Sequence, residues 1–407
     1  MASSEIIEAE VLIVGGGMVG LTLGCALAGA GMEVAVVDRA DPACHLDSGF
    51  DGRASAIAHG TKLTLDGIGV WSGMARDAEP IREIRVSDGD SPLFLHYDHR
   101  DLGNDPLGYM VENRHFRQAL YAAADGVERL QLVAPTGLRH LTRTEAGGEA
   151  ELDDGRYVRA RLVIAADGRQ SAVRREAGIP VTTWTYDQTG IVCTVTHERS
   201  HRGIAHERFL SAGPFAILPL SGNRSSLVWT ERSDLAPAIM ALDHSGFHAE
   251  MAGRFGGFLG LLQVTGPRWS YPLALSYAAR YNDTRLALVG DAAHAIHPIA
   301  GQGLNLGLRD VAALSEVLVD ARRLGLDIGG ADVLARYGRW RRVDTTLLLA
   351  VTDSLNRLFS NDIAPLRLAR DLGLAAVNQL PPLKRLFMRH AMGTVGDLPR
   401  LARGEPL

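Results

Sequence analysis

Cysteine is scarce in this chain of 407 residues, which has only Cys25, Cys44 and Cys193. The three are far apart and form no CxxC pair, so the sequence offers no disulfide framework. A sparse, odd set of cysteines is typical of a reducing compartment. We therefore predict a cytoplasmic location.

Positive charge is not in excess either. The chain has 42 Lys and Arg against 47 Asp and Glu, a net charge of −5, and its only lysines are Lys62 and Lys384. This mild acidity argues against nucleic acid as the main partner. Glu5, Glu8 and Glu10 precede the first apolar run, where a secretory signal would carry basic residues, so we expect no such signal.

A long uncharged stretch runs from Val11 to Met32 and could span a bilayer by length alone. It contains seven glycines, and β-forming residues occupy only its beginning. This pattern predicts a buried strand, a glycine turn and a helix rather than a transmembrane span.

The first motif follows the short apolar strand 10–14 and has glycines at the GxGxxG spacing. Gly15 permits a tight turn, Gly17 lets the backbone approach a diphosphate, and Gly20 allows close packing of the helix on the strand. Asp38 ends the next predicted strand, where a carboxylate can bind a ribose. The motif predicts a dinucleotide site but does not separate FAD from NAD.

Two further strands of the same buried type, 161–166 and 285–290, lie far along the chain. If the three share a sheet, the nucleotide-binding domain is discontinuous, with β-rich segments inserted into it. We predict an α/β fold with a Rossmann-like domain, an inserted antiparallel β-sheet substrate domain and a helical C-terminal region. The Rossmann-like domain would comprise residues 1–75, 106–180 and 276–330. The substrate domain would comprise 76–105 and 181–275, and the helical C-terminal region 331–407.

The second motif, Asp167, Gly168, Ser171 and Arg174, directly follows one of these strands. Taken alone, it predicts a strand-to-helix turn with Ser171 near a cap and Arg174 on the surface.

The third motif runs from Gly290 to Asn305. A strand delivers Asp291 into a loop that ends in Gly301 and Gly303, where a long helix begins. Such a helix start stabilises negative charge. His294 and His297 have a spacing that could suggest a metal, but no third ligand cluster is near, so we predict no metal site.

Together, in this order and spacing, the three motifs resemble the p-hydroxybenzoate hydroxylase-like, FAD-dependent monooxygenases. The resemblance implies that Asp38 holds the adenosine ribose of FAD, Asp291 the ribityl chain, and that Asp167 lies near the bound nucleotides. Two further segments, around Arg53 and around Arg114 and Gln118, fit the same family. The other cofactor-binding candidates are Gly15, Gly17, Gly20, Arg39, Gly168, Arg174, Gly290, Pro298, Gly301, Gln302, Gly303 and Asn305.

Segments 51–71, 297–310 and 358–393 narrow the resemblance to the polyprenylphenol hydroxylases of ubiquinone biosynthesis, over almost the whole chain. This implies that NAD(P)H transiently reduces FAD and that O2 is the co-substrate for hydroxylation of a hydrophobic prenylated phenol. The likeness is weakest over 180–260, where the substrate should bind. Hydroxylation of a soluble phenol and a catalytically silent FAD-binding scaffold in a biosynthetic complex remain alternatives.

Candidates for catalysis and substrate binding are few. His294 and His297 are the nearest titratable residues, and Phe215, Leu218 and Trp229 lie on predicted pocket strands. Residues 355–407 carry eight basic against four acidic residues, interspersed with apolar ones. This composition is compatible with peripheral contact at the inner face of the membrane, with a protein surface in a ubiquinone-biosynthesis complex, or with a solvated helical face.

Overall fold

The structure is a computed structural model that describes residues 5–46, 52–89, 91, 93–296, 301–359 and 364–407. The predicted site residues His297 and Pro298 lie outside the described residues. The strands of the described part are β1 Ile6–Val14, β2 Val34–Val37, β3 Ala54–Ala58, β4 Glu79–Ile81, β5 Glu83–Asp88, β6 Phe94–Asp98, β7 Gly108–Glu112, β8 Leu130–Val133, β9 Leu138–Thr144, β10 Gly147–Leu152, β11 Tyr157–Ala165, β12 Val181–His197, β13 Ile204–Leu210, β14 Gly213–Leu220, β15 Arg224–Arg232, β16 Leu262–Ala278, β17 Asn282–Asp283, β18 Leu286–Leu288 and β19 His294–Ala295. The helices are α1 Met18–Gly29, α2 Pro42–Leu46, α3 His59–Gly67, α4 Asn113–Asp125, α5 Ala172–Glu176, α6 Ala236–Ala241, α7 His244–Phe255, α8 Gln302–Arg323, α9 Ala331–Phe359, α10 Ala364–Gln379 and α11 Pro381–Ala391.

The first sheet has a parallel core in the order β8, β2, β1, β11, β18. Strand β17 pairs antiparallel to β18 at one edge, and the β9–β10 hairpin pairs with β11. Val11, Leu12 and Ile13 are fully buried, as expected for a central parallel strand covered on both faces. The predicted Rossmann-like fold is therefore confirmed.

Helix α1 is buried along almost its whole length, because α4 and α8 pack on it as well as the sheet. Its Gly24 shows how close the packing is: a Cβ there would lie 2.6 Å from a methyl carbon of Leu130. This burial explains why the helix has no polar face in the sequence.

The second sheet has the order β19, β16, β12, β15, β14, β13, β5, β6. It combines strands from both predicted insertions and is antiparallel except where β13 pairs with β5. The inserted antiparallel sheet is thus confirmed, while the residue limits of the domains stay a prediction. One face packs on α7, and the other faces the small third sheet, β3–β7–β4, and helices α9 and α10.

The chain is helical from α8 onward, as predicted. Pro381 and Pro382 begin α11, where a proline lacks no needed hydrogen bond. Among the described helices, none combines the length and the apolar character needed to cross a bilayer.

Candidate active site

The glycines of the first motif lie where β1 turns into α1. Gly15 has a φ of +107°, and a Cβ there would lie 2.4 Å from the carbonyl oxygen of Ala166. A Cβ on Gly20 would lie 1.9 Å from the Gly15 carbonyl oxygen. A Cβ on Gly17, by contrast, would meet no atom within 4 Å in the part of the chain that the structure describes. Gly15 and Gly20 are therefore required by the fold, whereas Gly17 borders open space.

The amino end of α1 is suited to an anion. Gly17 is its N-cap, no side chain caps it, and no acidic residue lies in the first turn. The first N–H groups of a helix lack partners within the helix and carry roughly half a positive charge. Together with the space beside Gly17, this arrangement fits a diphosphate.

Asp38 lies next to this turn, beyond the end of β2. Its carboxylate accepts hydrogen bonds from the backbone N–H groups of Gly16 and Ala40. It also borders α4, where burial, with a smaller contribution from the charge of Asp38, raises the pKa of Tyr121 to about 12. Asp38 is thus held rigidly beside the glycine turn.

The other predicted residues of this region are placed differently. Gln118 and Arg39 are exposed, and Arg39 packs near Gly137. Arg114 forms an ion pair with Glu112, with 3.3 Å between Nη2 and Oε2. Of these three, only Gln118 is both exposed and on the helix that borders Asp38.

The second motif is a tightly bonded turn. One oxygen of Asp167, Oδ2, accepts from the N–H of Ala172 at 2.8 Å, and Ser171 caps α5 through the N–H of Arg174. The other oxygen, Oδ1, is buried and has no hydrogen-bond partner among the described residues. Gly168 has a φ of +82° and no atom within 4 Å of a Cβ position. Asp167 therefore retains one buried acceptor for a bound group.

Arg174 is buried, so the simple interpretation that placed it on the surface is wrong. Its guanidinium donates to the carbonyl oxygens of Ala292 and Arg169, both at 2.8 Å. These bonds connect the second motif to the loop that carries Asp291.

Replacing Arg174 with alanine should weaken FAD retention, because the buried carbonyl of Ala292 loses its donor and the Asp291 loop loosens. An unpaired buried acceptor costs about 1–3 kcal/mol, so we expect a loss of FAD affinity of roughly tenfold or more. The fluorescence of FAD released from the protein on dilution measures this loss of affinity. The exposed Arg175→Ala variant is the control, and equal FAD release from both variants would contradict the prediction.

The third motif places Asp291, in the turn that follows β18, beside the start of α8. Asp291 is solvent-accessible yet closely surrounded by protein, which raises the pKa of its carboxyl despite the opposing charge of Arg169. Gly290, with a φ of +59°, packs on Val19 of α1. Gly301, the N-cap of α8, has a φ of +61°, and the adjacent Gly303 borders open space.

Asn305 has a structural role. Its Oδ1 accepts from the N–H of Ala58 at 2.8 Å, and its Nδ2 donates to the carbonyl oxygens of Ala56 and Gly301. The side chain is fully buried and so connects β3 to the start of α8. The neighbouring Gln302 is also buried.

His294 is not placed to act as a base on a substrate. It is buried, and its Nε2 lies 2.7 Å from Oδ2 of Asp310, whose other oxygen accepts from Nε of Arg341 at 2.7 Å. Burial would raise the pKa of Asp310, but His294 and Arg341 outweigh it and lower that pKa. Asp310 also accepts from the N–H of Gly290 and thereby holds the Asp291 loop.

The predicted substrate residues lie on opposite faces of the second sheet. Phe215 and Trp229 belong to the core under α7 with Phe247, so the structure contradicts their role in lining a pocket. Leu218 points to the other face and packs on the same apolar cluster as Ala54 and Ala56 of β3. The alternation of side chains along β14 explains this division.

Two aromatic residues that sequence reasoning missed, Trp269 and Tyr271 of β16, border the space between β3 and the second sheet, here called the cleft. A Cβ on Gly52 would lie 2.2 Å from the ring of Trp269. Burial raises the pKa of Tyr271, while the nearby charges of Arg53 and Arg169 oppose the shift. The signal was the alternating pair of aromatic residues on β16, which places both on one face. This face therefore adjoins Arg53, which is exposed at the start of β3.

A group of potential metal ligands in the described residues, Glu83, His96 and Asp98, lies on β5 and β6. Arg85 and Arg100 already pair with its two carboxylates. We therefore do not assign a metal site to these three residues.

The chain is similar to one protein family and, over nearly its whole length, to several known proteins. Residues 8–342 match the sequence profile of the FAD binding domain family. The chain is 58% identical over 402 residues to the ubiquinone hydroxylase UbiL of Rhodospirillum rubrum, covering 98% of this chain and 94% of that protein. It is 39% identical over 386 residues to the 3-demethoxyubiquinol 3-hydroxylase of Escherichia coli, covering 94% of this chain and 98% of that protein.

Among solved structures, the p-nitrophenol 4-monooxygenase PnpA of Pseudomonas putida is similar, with a TM-score of 0.80. The match covers 95% of this chain and 98% of that protein at 20% identity, a level that shows the fold alone. The two sequence relatives also match nearly the whole chain, but at much higher identity.

Proposed function

Because the chain belongs to the family of FAD-dependent ubiquinone hydroxylases, we propose that it hydroxylates the ring of a polyprenylated phenol. The predictions of a flavoprotein monooxygenase, of FAD as its cofactor and of a place in ubiquinone biosynthesis are confirmed by this membership. The prenylated substrate, its delivery and the individual site residues remain proposals.

FAD, when bound, takes a hydride from NAD(P)H and uses O2 to provide the oxygen atom that enters the ring. The residues of the three sequence motifs fit this cofactor. We assign the diphosphate to the N–H groups at the start of α1, beside Gly17. Asp38 would accept from the adenosine ribose and Asp291 from the ribityl chain, and the amino end of α8 at Gly301 and Gly303 would stabilise negative charge on the flavin.

The observation that carries the substrate proposal is the sheet face that adjoins β3. Leu218 shares an apolar cluster with Ala54 and Ala56 of β3. Val192, Ala216 and Val228 occupy directly paired positions in the next row across this face. An aromatic ring with an apolar chain can be held dry on such a surface, with few polar groups to orient it.

The test is turnover of the FAD-loaded enzyme with NAD(P)H, isotopically labelled O2 and a short-chain prenylated phenol. We expect one labelled oxygen atom in the product. We also expect more product per NAD(P)H oxidised with the prenylated phenol than with the unprenylated one. A preference for the unprenylated phenol would favour a soluble-phenol hydroxylase. No NAD(P)H oxidation at all would favour a silent scaffold. The precursor that accumulates in cells lacking the protein would identify the ring position.

We also propose that α11 meets an anionic membrane surface, since a polyprenylated phenol resides in the bilayer. Arg385 and Arg389 are exposed on α11, and neither has an ion-pair partner in the part of the chain that the structure describes. Leu386 and Phe387 beside them are 45% and 42% exposed. Lys384 is different, because it pairs with Asp101 at 2.6 Å.

Changing Arg385 and Arg389 to glutamate should release the protein from anionic vesicles. Each basic residue near an anionic surface contributes about 1 kcal/mol, so we expect at least roughly tenfold weaker co-sedimentation at low salt. Charge reversal of the exposed Arg139 and Arg159 on the first sheet is the control. If the wild-type protein does not co-sediment with anionic vesicles, direct membrane contact through α11 is ruled out, and delivery of the substrate by a protein partner is favoured.

A further inference from the structure

Glu207 lies on the cleft-facing side of the second sheet. In the register of β13 it pairs with Ala216 on β14 and with Val86 on β5, and the row continues through Val228 and Val192. Directly paired residues project from the same face of a sheet. Glu207 is therefore a carboxylic acid within an otherwise apolar row.

The surroundings of Glu207 place it between two structures that bound the substrate face. Two residues before it, Ala205 belongs to the apolar cluster with Ala54 and Ala56 of β3. Two residues after it, Phe209 stacks on Phe359 of α9, with ring centroids 4.2 Å apart. Glu207 itself is partly accessible to solvent. It thus borders the space enclosed by the sheet, β3 and α9.

No hydrogen-bond donor or ion-pair partner contacts the Glu207 carboxyl within the described ranges. A carboxylate that is surrounded by apolar groups and has no partner is costly to maintain. Such groups are concentrated at functional sites. Its position and lack of a partner both point to a bound group that supplies the missing proton donor.

We propose that Glu207 is the proton acceptor for the phenol hydroxyl of the substrate. This inference rests on the proposed function and extends it to one residue. The phenol O–H bond breaks, its proton moves to an oxygen of Glu207, and the electron pair stays on the phenol oxygen. That negative charge enriches the ring carbons ortho and para to it, one of which forms a bond to one oxygen atom of O2 as the O–O bond breaks. The other oxygen atom, reduced by the two electrons that NAD(P)H supplies, leaves as water and takes up the proton that this ring carbon loses. The ring thereby regains aromaticity, and Glu207 returns its proton to the phenol oxygen.

The electrostatics suit this role. Burial raises the pKa of Glu207 to about 7, nearer to that of a phenol, ~10, than an ordinary carboxyl would be. A base is most effective when its pKa is close to the working pH.

The other charged groups on this side of the sheet are paired or more distant along it. Asp88 pairs with Arg370 at 2.7 Å, and Arg224 pairs with Glu112 at 2.9 Å. Tyr271 and Arg53 lie toward the far strand, β16. On β13 itself, His206 and Arg208 alternate with Glu207 and project from the opposite face.

The experiment compares Glu207→Gln with wild type as FAD-loaded enzymes. The glutamine keeps the shape but cannot take a proton. The wild-type kcat should rise with pH through about 7, because only the ionised carboxylate is active. In Glu207→Gln this rise should disappear and kcat should fall roughly 100-fold. Glu207→Asp should keep the rise, and Glu250→Gln, on the helix behind the sheet, should match wild type.

A binding measurement without turnover separates this role from misfolding. A short-chain prenylated phenol and its methyl ether are titrated against the oxidised enzyme, and the flavin absorbance change is followed. Glu207→Gln should bind the phenol about tenfold more weakly and the methyl ether unchanged, because the ether has no proton to donate. A pH rise that persists in Glu207→Gln, or equal losses for phenol and ether, would overturn the inference alone. Failure of wild type to bind or hydroxylate the phenol would overturn the proposed function and this inference with it.

Discussion

Replacing Gly17 with valine should produce a stable but colourless protein. The residue has an ordinary φ of −69°, and no atom of the described residues lies within 4 Å of its Cβ position, so the new side chain should leave the fold unchanged. The new side chain would project into the space that we assign to the diphosphate. We expect FAD binding at least roughly 100-fold weaker, equivalent to about 2.7 kcal/mol.

The matched variant is Gly15→Val, which should lose both FAD and stability. Its φ of +107° and the Ala166 carbonyl 2.4 Å from a Cβ position make any side chain costly to the fold itself. Flavin content and thermal unfolding of the apoprotein, measured together, distinguish the two. A yellow Gly17→Val protein would mean that the diphosphate does not lie at this turn.

Replacing Asp310 with alanine should lower the free energy of unfolding by about 3–5 kcal/mol. The aspartate is fully buried and bonded to both His294 and Arg341. Without it, Asp344, at 2.7 Å, is the one ion-pair partner that the buried Arg341 retains among the described residues. The loss of its bond to the Gly290 N–H should also loosen the Asp291 loop and reduce FAD retention.

Asp344→Asn is the control, because Asp344 belongs to the same group of charges but is 36% exposed. Solvent screening should limit its effect to roughly 1 kcal/mol. Denaturant unfolding of the two variants measures the difference, and equal losses would contradict the role of burial. Because the pKa of Asp310 is lowered in the folded state, its contribution is complete above the unfolded pKa of ~3.9 and is lost as pH falls below it.

The nucleotide-binding half of the molecule could be predicted from residue order alone. The turn at Gly15, the helix after it and the strand before Asp38 are neighbours in the chain, so their geometry depends on local steric rules. The similar apolar strands before the three motifs likewise led to the prediction of one discontinuous domain, and these strands do pair in one sheet. The resemblance of these motifs to a known family then indicated FAD and ring hydroxylation, which the relatives confirm.

The role of individual polar side chains depended on partners far away in the sequence. Asn305 looked like a cofactor ligand, but it bonds to Ala58, 247 residues earlier. His294 looked like a base, but its ring is bonded to Asp310, which in turn accepts from Arg341. A local pattern cannot show which donor or acceptor is already used, because hydrogen bonds between distant segments form only when the helices and sheets pack.

The substrate side shows the same division even more clearly. Alternation along a strand predicts that neighbouring residues face opposite ways, but it does not say which face meets the cofactor. Only the packing of α7 on one face and of β3 and α9 on the other decided that Phe215 and Trp229 are core residues. The same register, set by pairing across strands from two separate insertions, placed Glu207 toward the cleft.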